Sequence, residues 1–245
     1  MKTNRSLDSS DGRFATTQWT LVWKAASADS SVGRKALEQI IQRNWQPLYS
    51  FARRKGLGRE DAEDATQEFC HQIIRGDLLE KMDPARGKFR AFLLTAWKRF
   101  LIDDYRGKNA AKRGGNVSVF AMDFGESESR WQQAVAREED PEALFNAVWA
   151  SGLLEEAQRR LTEEYSGERS STLNALSPFL TRSPDSEDYE RLAGELQSSP
   201  GAVKVALHRL RQRYGTTLRE VVLETIDDPA DLDSEISALI RIVGS

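Results

Sequence analysis

The apolar residues of segment 88–108 recur at the spacing of one face of an α-helix. Starting from Phe89, they follow in steps of three, one and four residues: Phe92, Leu93, Ala96, Trp97, Phe100, Leu101 and Tyr105. The same periodicity predicts helices over 34–55, 60–75, 142–165, 171–180, 187–197 and 200–224. No Asn-Gly or Asp-Gly turn joins alternating apolar runs. The sequence therefore predicts an all-α protein, in which Pro47 should kink or split its helix.

The spacing of these segments predicts two helical domains joined by an acidic linker, the second containing a helix-turn-helix. With 245 residues, the chain is long enough for both domains. The linker is expected to lack a fold, because apart from Trp131 few of its apolar residues recur at any period. The predicted boundaries are 1–113 for the first domain, 114–141 for the linker, 142–226 for the second domain and 227–245 for an acidic C-terminal extension.

The composition argues against several classes of protein. Cys70 is the single cysteine, which excludes an internal disulfide, and His71 and His208 lie too far apart to suggest a zinc site. The first residues carry no secretory signal, and no apolar run could span a bilayer. No nucleophile–base set, metal cluster or phosphate loop is present. We therefore expect a cytoplasmic protein that is not an enzyme and has no cofactor, metal, small-molecule substrate or membrane partner.

The charges are segregated along the chain, although the net charge is only −3. Residues 60–83 hold eight acidic and two basic side chains, and residues 84–114 hold nine basic and two acidic ones. Residues 200–219 hold five basic side chains and no acidic one, whereas 220–245 are again acidic. Exposed helix faces usually mix the two signs, so two separate basic segments indicate two contacts with an anionic partner such as duplex DNA.

Residues 188–213 have the pattern of a helix-turn-helix. Ser199 is a good N-cap and Pro200 suits the first helical position. Seven residues would face inward and leave a basic outer face: Tyr189, Leu192, Ala193, Leu196, Val203, Leu207 and Leu210. That face could be an ordinary solvated one, but the pattern favours DNA binding.

The segment Asp61-Ala-Glu-Asp-Ala-Thr-Gln-Glu68 would place its polar side chains on the exposed face of a helix. Such a surface would suit a basic protein partner, although by itself it could be only a solvated acidic face. Nothing near it suggests acid–base catalysis.

Three motifs in this order resemble the extracytoplasmic-function (ECF) type of sigma-70 family sigma factors. Asp61 to Glu68 resembles the family's polymerase-binding motif, and Phe89-Arg-Ala-Phe-Leu-Leu94 with the basic stretch behind it resembles its promoter-melting and −10 segment. Tyr189 to Arg213 resembles its −35 helix-turn-helix. The resemblance covers about 35–113 and 142–222.

The resemblance implies three sets of contacts. Core RNA polymerase would bind Asp61, Asp64, Gln67 and Glu68. The −10 promoter DNA would bind Arg90, Trp97, Lys98, Arg99, Arg106 and Lys108, although the helical period places most aromatic residues of this segment in the core. The −35 DNA would bind Gly201, Lys204, Val205, His208, Arg209, Arg211 and Arg213.

We therefore expect an alternative sigma factor that directs promoter-specific initiation. The alternatives are a stand-alone helix-turn-helix regulator, which would be dimeric, and a sigma-like interaction protein that binds no DNA. The acidic extension is expected to fold back over 200–219 when polymerase is absent. The sequence leaves open whether an anti-sigma factor regulates the protein and whether Cys70 is redox-active, although burial would make it inert.

Overall fold

The computed structural model describes residues 31–75, 89–108, 122–135, 140–226 and 228–244. All regular secondary structure in these ranges is helical, which confirms the expected all-α class. The longer helices are α1 (Ser31–Arg54), α2 (Arg59–Ile74), α3 (Phe89–Lys108), α4 (Phe124–Val135), α5 (Pro141–Glu164), α6 (Ser170–Leu176), α7 (Ser186–Glu195), α8 (Pro200–Leu223) and α9 (Leu232–Gly244). No helix in the described ranges is long and apolar enough to cross a membrane.

Helix α1 runs without a break through Pro47, contrary to the expectation that proline would split it. The residues around Pro47 explain this, because Leu48, Tyr49, Phe51 and Ala52 are all buried in the core. Tertiary packing of this kind overrides the local cost of a proline in a helix.

The first hydrophobic core is built from α1, α2, α3, α4 and the first half of α5. Aromatic side chains dominate its centre: Trp45, Tyr49, Phe51, Phe69, Trp97, Phe124, Phe145 and Trp149. The predicted apolar stripe of α3 supplies Phe89, Leu93 and Trp97 to this core, as expected.

The second core lies between the end of α5 and helices α6 to α8. Of the seven residues that the helix-turn-helix pattern placed inside, five are buried in this core: Leu192, Ala193, Val203, Leu207 and Leu210. The other two, Tyr189 and Leu196, are partly buried against it. The inward face of this segment was therefore predicted correctly.

Helix α5 connects the two cores. Its 24 residues span about 36 Å. Leu144, Phe145 and Trp149 pack in the first core, and Leu161 packs in the second. Asp140 caps the helix by accepting a hydrogen bond from the Ala143 N–H (2.8 Å), and Pro141 occupies the first position.

The expectation of an unfolded linker is wrong over 122–135. This part forms α4, whose Phe124 lies 4.9 Å from Trp45 and 5.4 Å from Tyr49, measured between ring centroids. Trp131 also docks on the first core, with the Arg53 guanidinium 4.2 Å above its ring. The rest of the expected linker, 114–121 and 136–139, lies outside the described residues.

Helix α9 packs against α5 and α8, and its Leu239 is buried. The expectation that the acidic extension covers 200–219 needs correction. Among the described residues of the extension, the ion pair with α8 is that of Asp233 with Arg219, at 2.5 Å, while the first two turns of α8 remain open.

Candidate nucleic-acid interface

The outer face of α2 is acidic. Asp61, Asp64 and Glu68 are exposed, and Gln67 is half-buried beside them. Spacings of three and four residues place the three carboxylates along one side of the helix. The opposite side, centred on Phe69, is buried in the first core. Packing of the apolar side therefore fixes the direction in which the acidic side points.

Cys70 belongs to the packed side of α2. Only 1% of the residue is exposed, and burial raises the pKa of its thiol. A thiol that is neither accessible nor ionised is a poor nucleophile. The structure therefore gives Cys70 the inert, structural role that burial predicts.

The predicted DNA-contacting cations of α3 differ in their environments. Arg99 is exposed. Lys98 forms an ion pair with Glu142 of α5, and Arg90 lies 3.9 Å from Glu235 of α9. Arg106 and Lys108 lie in the last turn of α3, where the side chains are outside the described part of the chain.

The inclusion of Trp97 among the DNA-contacting residues is wrong for this structure. The side chain is fully buried, and its indole N–H donates a hydrogen bond to the Leu48 carbonyl at 3.0 Å. Its ring lies 4.8 Å from that of Phe69 and is stacked on Phe100 at 5.4 Å. A ring enclosed in this way cannot stack on an unpaired base.

Helices α7 and α8 are joined by a four-residue turn, 196–199. Asp185 caps α7 in a capping box with Asp188, and Ser199 caps α8 by accepting a hydrogen bond from the Ala202 N–H at 3.2 Å. Gln197 adopts φ +48°, and the Ser198 N–H bonds back to the Ala193 carbonyl at 2.8 Å. These bonds hold the start of α8 at a defined angle to α7.

The first three turns of α8 present one continuous exposed surface. Five of the seven predicted −35 residues are exposed on this surface: Gly201, Lys204, Val205, His208 and Arg209. Because Val203, Leu207 and Leu210 anchor the other side of the helix, the exposed side chains share a direction. The surface combines cations with an apolar side chain and has no carboxylate of its own.

The other two predicted −35 residues have partners within the protein. Arg211 donates from Nε and Nη2 to the Phe179 carbonyl, at 3.1 and 2.8 Å, and from Nη2 to the Arg182 carbonyl at 2.7 Å. Arg213 pairs with Glu164 at 2.6 Å. The assignment of Arg211 to DNA is thus corrected, because its guanidinium holds the loop before α7 in place.

Among the described residues, no group of three or more histidine, cysteine, aspartate or glutamate side chains could hold a metal ion.

Comparison with known protein families identifies part of the chain. Residues 40–111 match the family model of sigma-70 region 2. This segment of the chain is therefore similar to region 2 of sigma-70 family proteins. No curated protein and no solved structure matches it. The match supports a role in RNA polymerase binding and transcription initiation, and sigma factors are a non-enzymatic regulatory family.

The segment that matches region 2 includes the acidic face of α2 and all of α3. Helices α4 to α9 lie outside it, so their roles rest on their own geometry.

Sequence reasoning missed the carboxylates that lie beside the cations of α3. Glu142 holds Lys98 and Glu235 lies beside Arg90, each from a helix distant in sequence. Neither acid shares a helix face with its partner, so no i,i+4 pattern could have identified them. Arg182 was missed as well. This exposed cation stacks on Phe179 (4.4 Å) and lies beside the start of α7, in a loop without periodicity.

Proposed function

We propose that this protein is an alternative sigma factor of the ECF type. It binds core RNA polymerase through the acidic face of α2 and contacts promoter DNA with α3 at the −10 element and with α8 at the −35 element. The observation that carries this proposal is the exposed row of Asp61, Asp64 and Glu68 within the matched region 2.

The polymerase contact rests on charge and rigidity. The row of carboxylates is fixed by the buried side of α2, so it needs little reorganisation to meet a basic surface. Complementary charge mainly increases the association rate and the specificity of such a contact.

The −10 contact rests on the cations of α3. Arg99 is exposed, whereas Lys98 and Arg90 are next to carboxylates of this chain. These two would exchange Glu142 and Glu235 for phosphate oxygens when DNA binds. Exposed or half-exposed ion pairs contribute little stability, so that exchange has a low cost.

The −35 contact rests on the α7–α8 pair as a helix-turn-helix. In such motifs the N-terminal residues of the second helix enter the major groove. In α8 this part carries Gly201, Lys204, Val205, His208 and Arg209, and Arg213 follows about one turn after Arg209. Holding both DNA-binding surfaces on one polymerase makes the second contact intramolecular, so neither surface needs high affinity alone.

The test is co-elution of the full-length chain with bacterial core RNA polymerase. The variant Asp64→Lys with Glu68→Lys should lose saturable binding, because it reverses the charge of the docking face without touching the core. The matched control, Glu190→Lys with Asp231→Lys, makes the same charge change at exposed positions on α7 and before α9 and should bind as the wild type does.

Two outcomes would overturn the proposal. Failure of the wild type to bind polymerase, together with dimeric binding to DNA, would indicate a stand-alone regulator. Equal binding by the wild type and the α2 variant would show that polymerase contacts a different surface.

A further inference from the structure

Val205 is an apolar side chain exposed where the fold does not require one. It is 51% exposed, on the second turn of α8, whereas the inward positions on either side, Val203 and Leu207, are buried. Its outward neighbours are cationic or polar: Lys204, His208 and Arg209 are all exposed. An exposed valine in such surroundings adds nothing to the packing of the core. Its contribution therefore lies in the contacts that α8 makes with another molecule.

The space next to Val205 is open. Gly201 lies one turn earlier on the same side of α8, and a Cβ added there would meet no atom within 4 Å. The backbone at the start of α8 is therefore uncovered beside the isopropyl group of Val205. A flat ligand could approach the backbone at Gly201 while touching Val205.

A DNA major groove offers one apolar group to such a side chain. Bases display hydrogen-bond donors and acceptors there, except that thymine also presents its C5-methyl group. The exposed Lys204 and Arg209 supply the charge that holds phosphates on either side.

We propose that Val205 contacts a thymine methyl group in the −35 duplex and so determines which base is accepted at that position. The inference rests on the proposed function, since it needs α8 to lie in the major groove. It adds a specific chemical preference, for the methyl group itself, that a phosphate-binding basic helix would not have.

The experiment compares thymine with deoxyuridine, which lacks only the methyl group. Duplexes that bind the full-length chain in complex with core RNA polymerase are first selected from a randomised pool, and each thymine of the best duplex is then replaced singly by deoxyuridine. For the wild type, one replacement should weaken binding about three- to tenfold, the loss expected for one buried methyl group and its contacts. Val205→Ala should lose a similar factor on the thymine duplex and should no longer distinguish the two bases at that position.

Lys204→Ala is the matched control. It should weaken binding to all duplexes and lower the salt dependence, yet keep the preference for thymine over deoxyuridine. Thermal melting of Val205→Ala should match that of the wild type, because the side chain is exposed and alanine favours a helix.

The outcomes separate this inference from the proposed function. If no duplex is enriched, the −35 role of α8 fails, and the inference fails with it. If duplexes are enriched but no deoxyuridine replacement matters, or if Val205→Ala still prefers thymine, only the inference is overturned. If Val205→Ala instead weakens polymerase binding and leaves DNA affinity unchanged, Val205 contacts protein and the inference is also overturned.

Discussion

The Glu128 side chain fixes the position of α4, a helix that the sequence pattern does not predict. Its carboxylate is buried beneath α4 and accepts hydrogen bonds from Tyr49 Oη, Arg53 Nε (3.0 Å) and Arg53 Nη2 (2.8 Å). Arg53 also donates to the Leu57 carbonyl at 2.7 Å. These bonds attach α4 to α1 through one charged group. Hydrogen bonds from Arg53 hold the pKa of Glu128 below its ordinary value, although burial opposes this.

Replacing Glu128 with glutamine should therefore destabilise the protein by about 3 kcal/mol near neutral pH, because the half-buried Arg53 guanidinium is left without its counter-ion. The lowered pKa means that the folded state binds fewer protons than the unfolded chain. The stabilisation is thus complete above the ordinary value of 4.5 and is lost as the pH falls through the lowered pKa.

Denaturant unfolding at several pH values measures this effect. The difference in unfolding free energy between the wild type and Glu128→Gln should shrink below about pH 4.5. Glu190→Gln on the exposed face of α7 is the control and should change stability by less than about 0.5 kcal/mol at any pH. A difference that stays constant as the pH falls would contradict the role assigned to the Glu128 charge.

At the residue scale, helical periodicity predicted burial better than it predicted contacts. It placed Leu192, Ala193 and Val203 inside, and all three are buried. It could not show that Trp97 bonds the Leu48 carbonyl or that Arg211 bonds the Phe179 carbonyl, because each partner lies more than thirty residues away. The side chains that a motif assigns to DNA thus include some that the fold itself uses.

At the scale of elements, helices with strong apolar periodicity were predicted, whereas α4, whose periodicity is weak, was not. Helices α2, α3, α5 and α8 begin and end within one residue of the predicted limits. Helix α4 was missed because its sequence is polar and acidic. Its helical state depends on Phe124 and Glu128 meeting α1, which is a tertiary effect that no local pattern contains.

The turn between α7 and α8 contains a local strain that can be tested. Gln197 adopts a left-handed conformation with φ +48°, where a side chain is disfavoured and glycine is the usual residue. Gln197→Gly should therefore stabilise the free protein by about 0.5–1 kcal/mol. Gln197→Ala, which removes the side chain but keeps the Cβ, is the control and should give no such gain.

Thermal or denaturant unfolding of the three proteins measures the difference. Similar losses of stability in Gln197→Gly and Gln197→Ala would show that the side chain, rather than the backbone, determines this turn. The same comparison bears on DNA binding, because this turn sets the angle at which α8 leaves α7.

At the scale of the whole molecule, α5 and α9 connect the two cores. Helix α5 contributes to both of them, and Arg160 near its end donates to both carboxylate oxygens of Glu224 in α8's C-terminal turn, at 2.7 and 2.8 Å. Helix α9 packs on α5 and α8 and places Glu235 beside Arg90 at the start of α3. The acidic extension therefore contacts α3 as well as α5 and α8, which charge segregation alone did not predict.

The contact of Glu235 with Arg90 predicts that α9 restrains DNA binding by the free chain. Glu235→Gln removes the carboxylate but leaves Leu239 to seat the helix. Arg90 should then be available to a phosphate, so binding to promoter-length DNA at low salt should tighten, and the slope of log K against log salt should become steeper by about 0.9.

Asp231→Asn makes the same change of charge at an exposed position just before α9, where the side chain has no ion pair with any described residue. General loss of negative charge would strengthen DNA binding equally in both variants, whereas release of Arg90 strengthens it only in Glu235→Gln. Titration of each protein with labelled duplex over a series of salt concentrations therefore distinguishes the two causes. Equal slopes for the two variants would mean that α9 acts through its overall charge and not by holding Arg90.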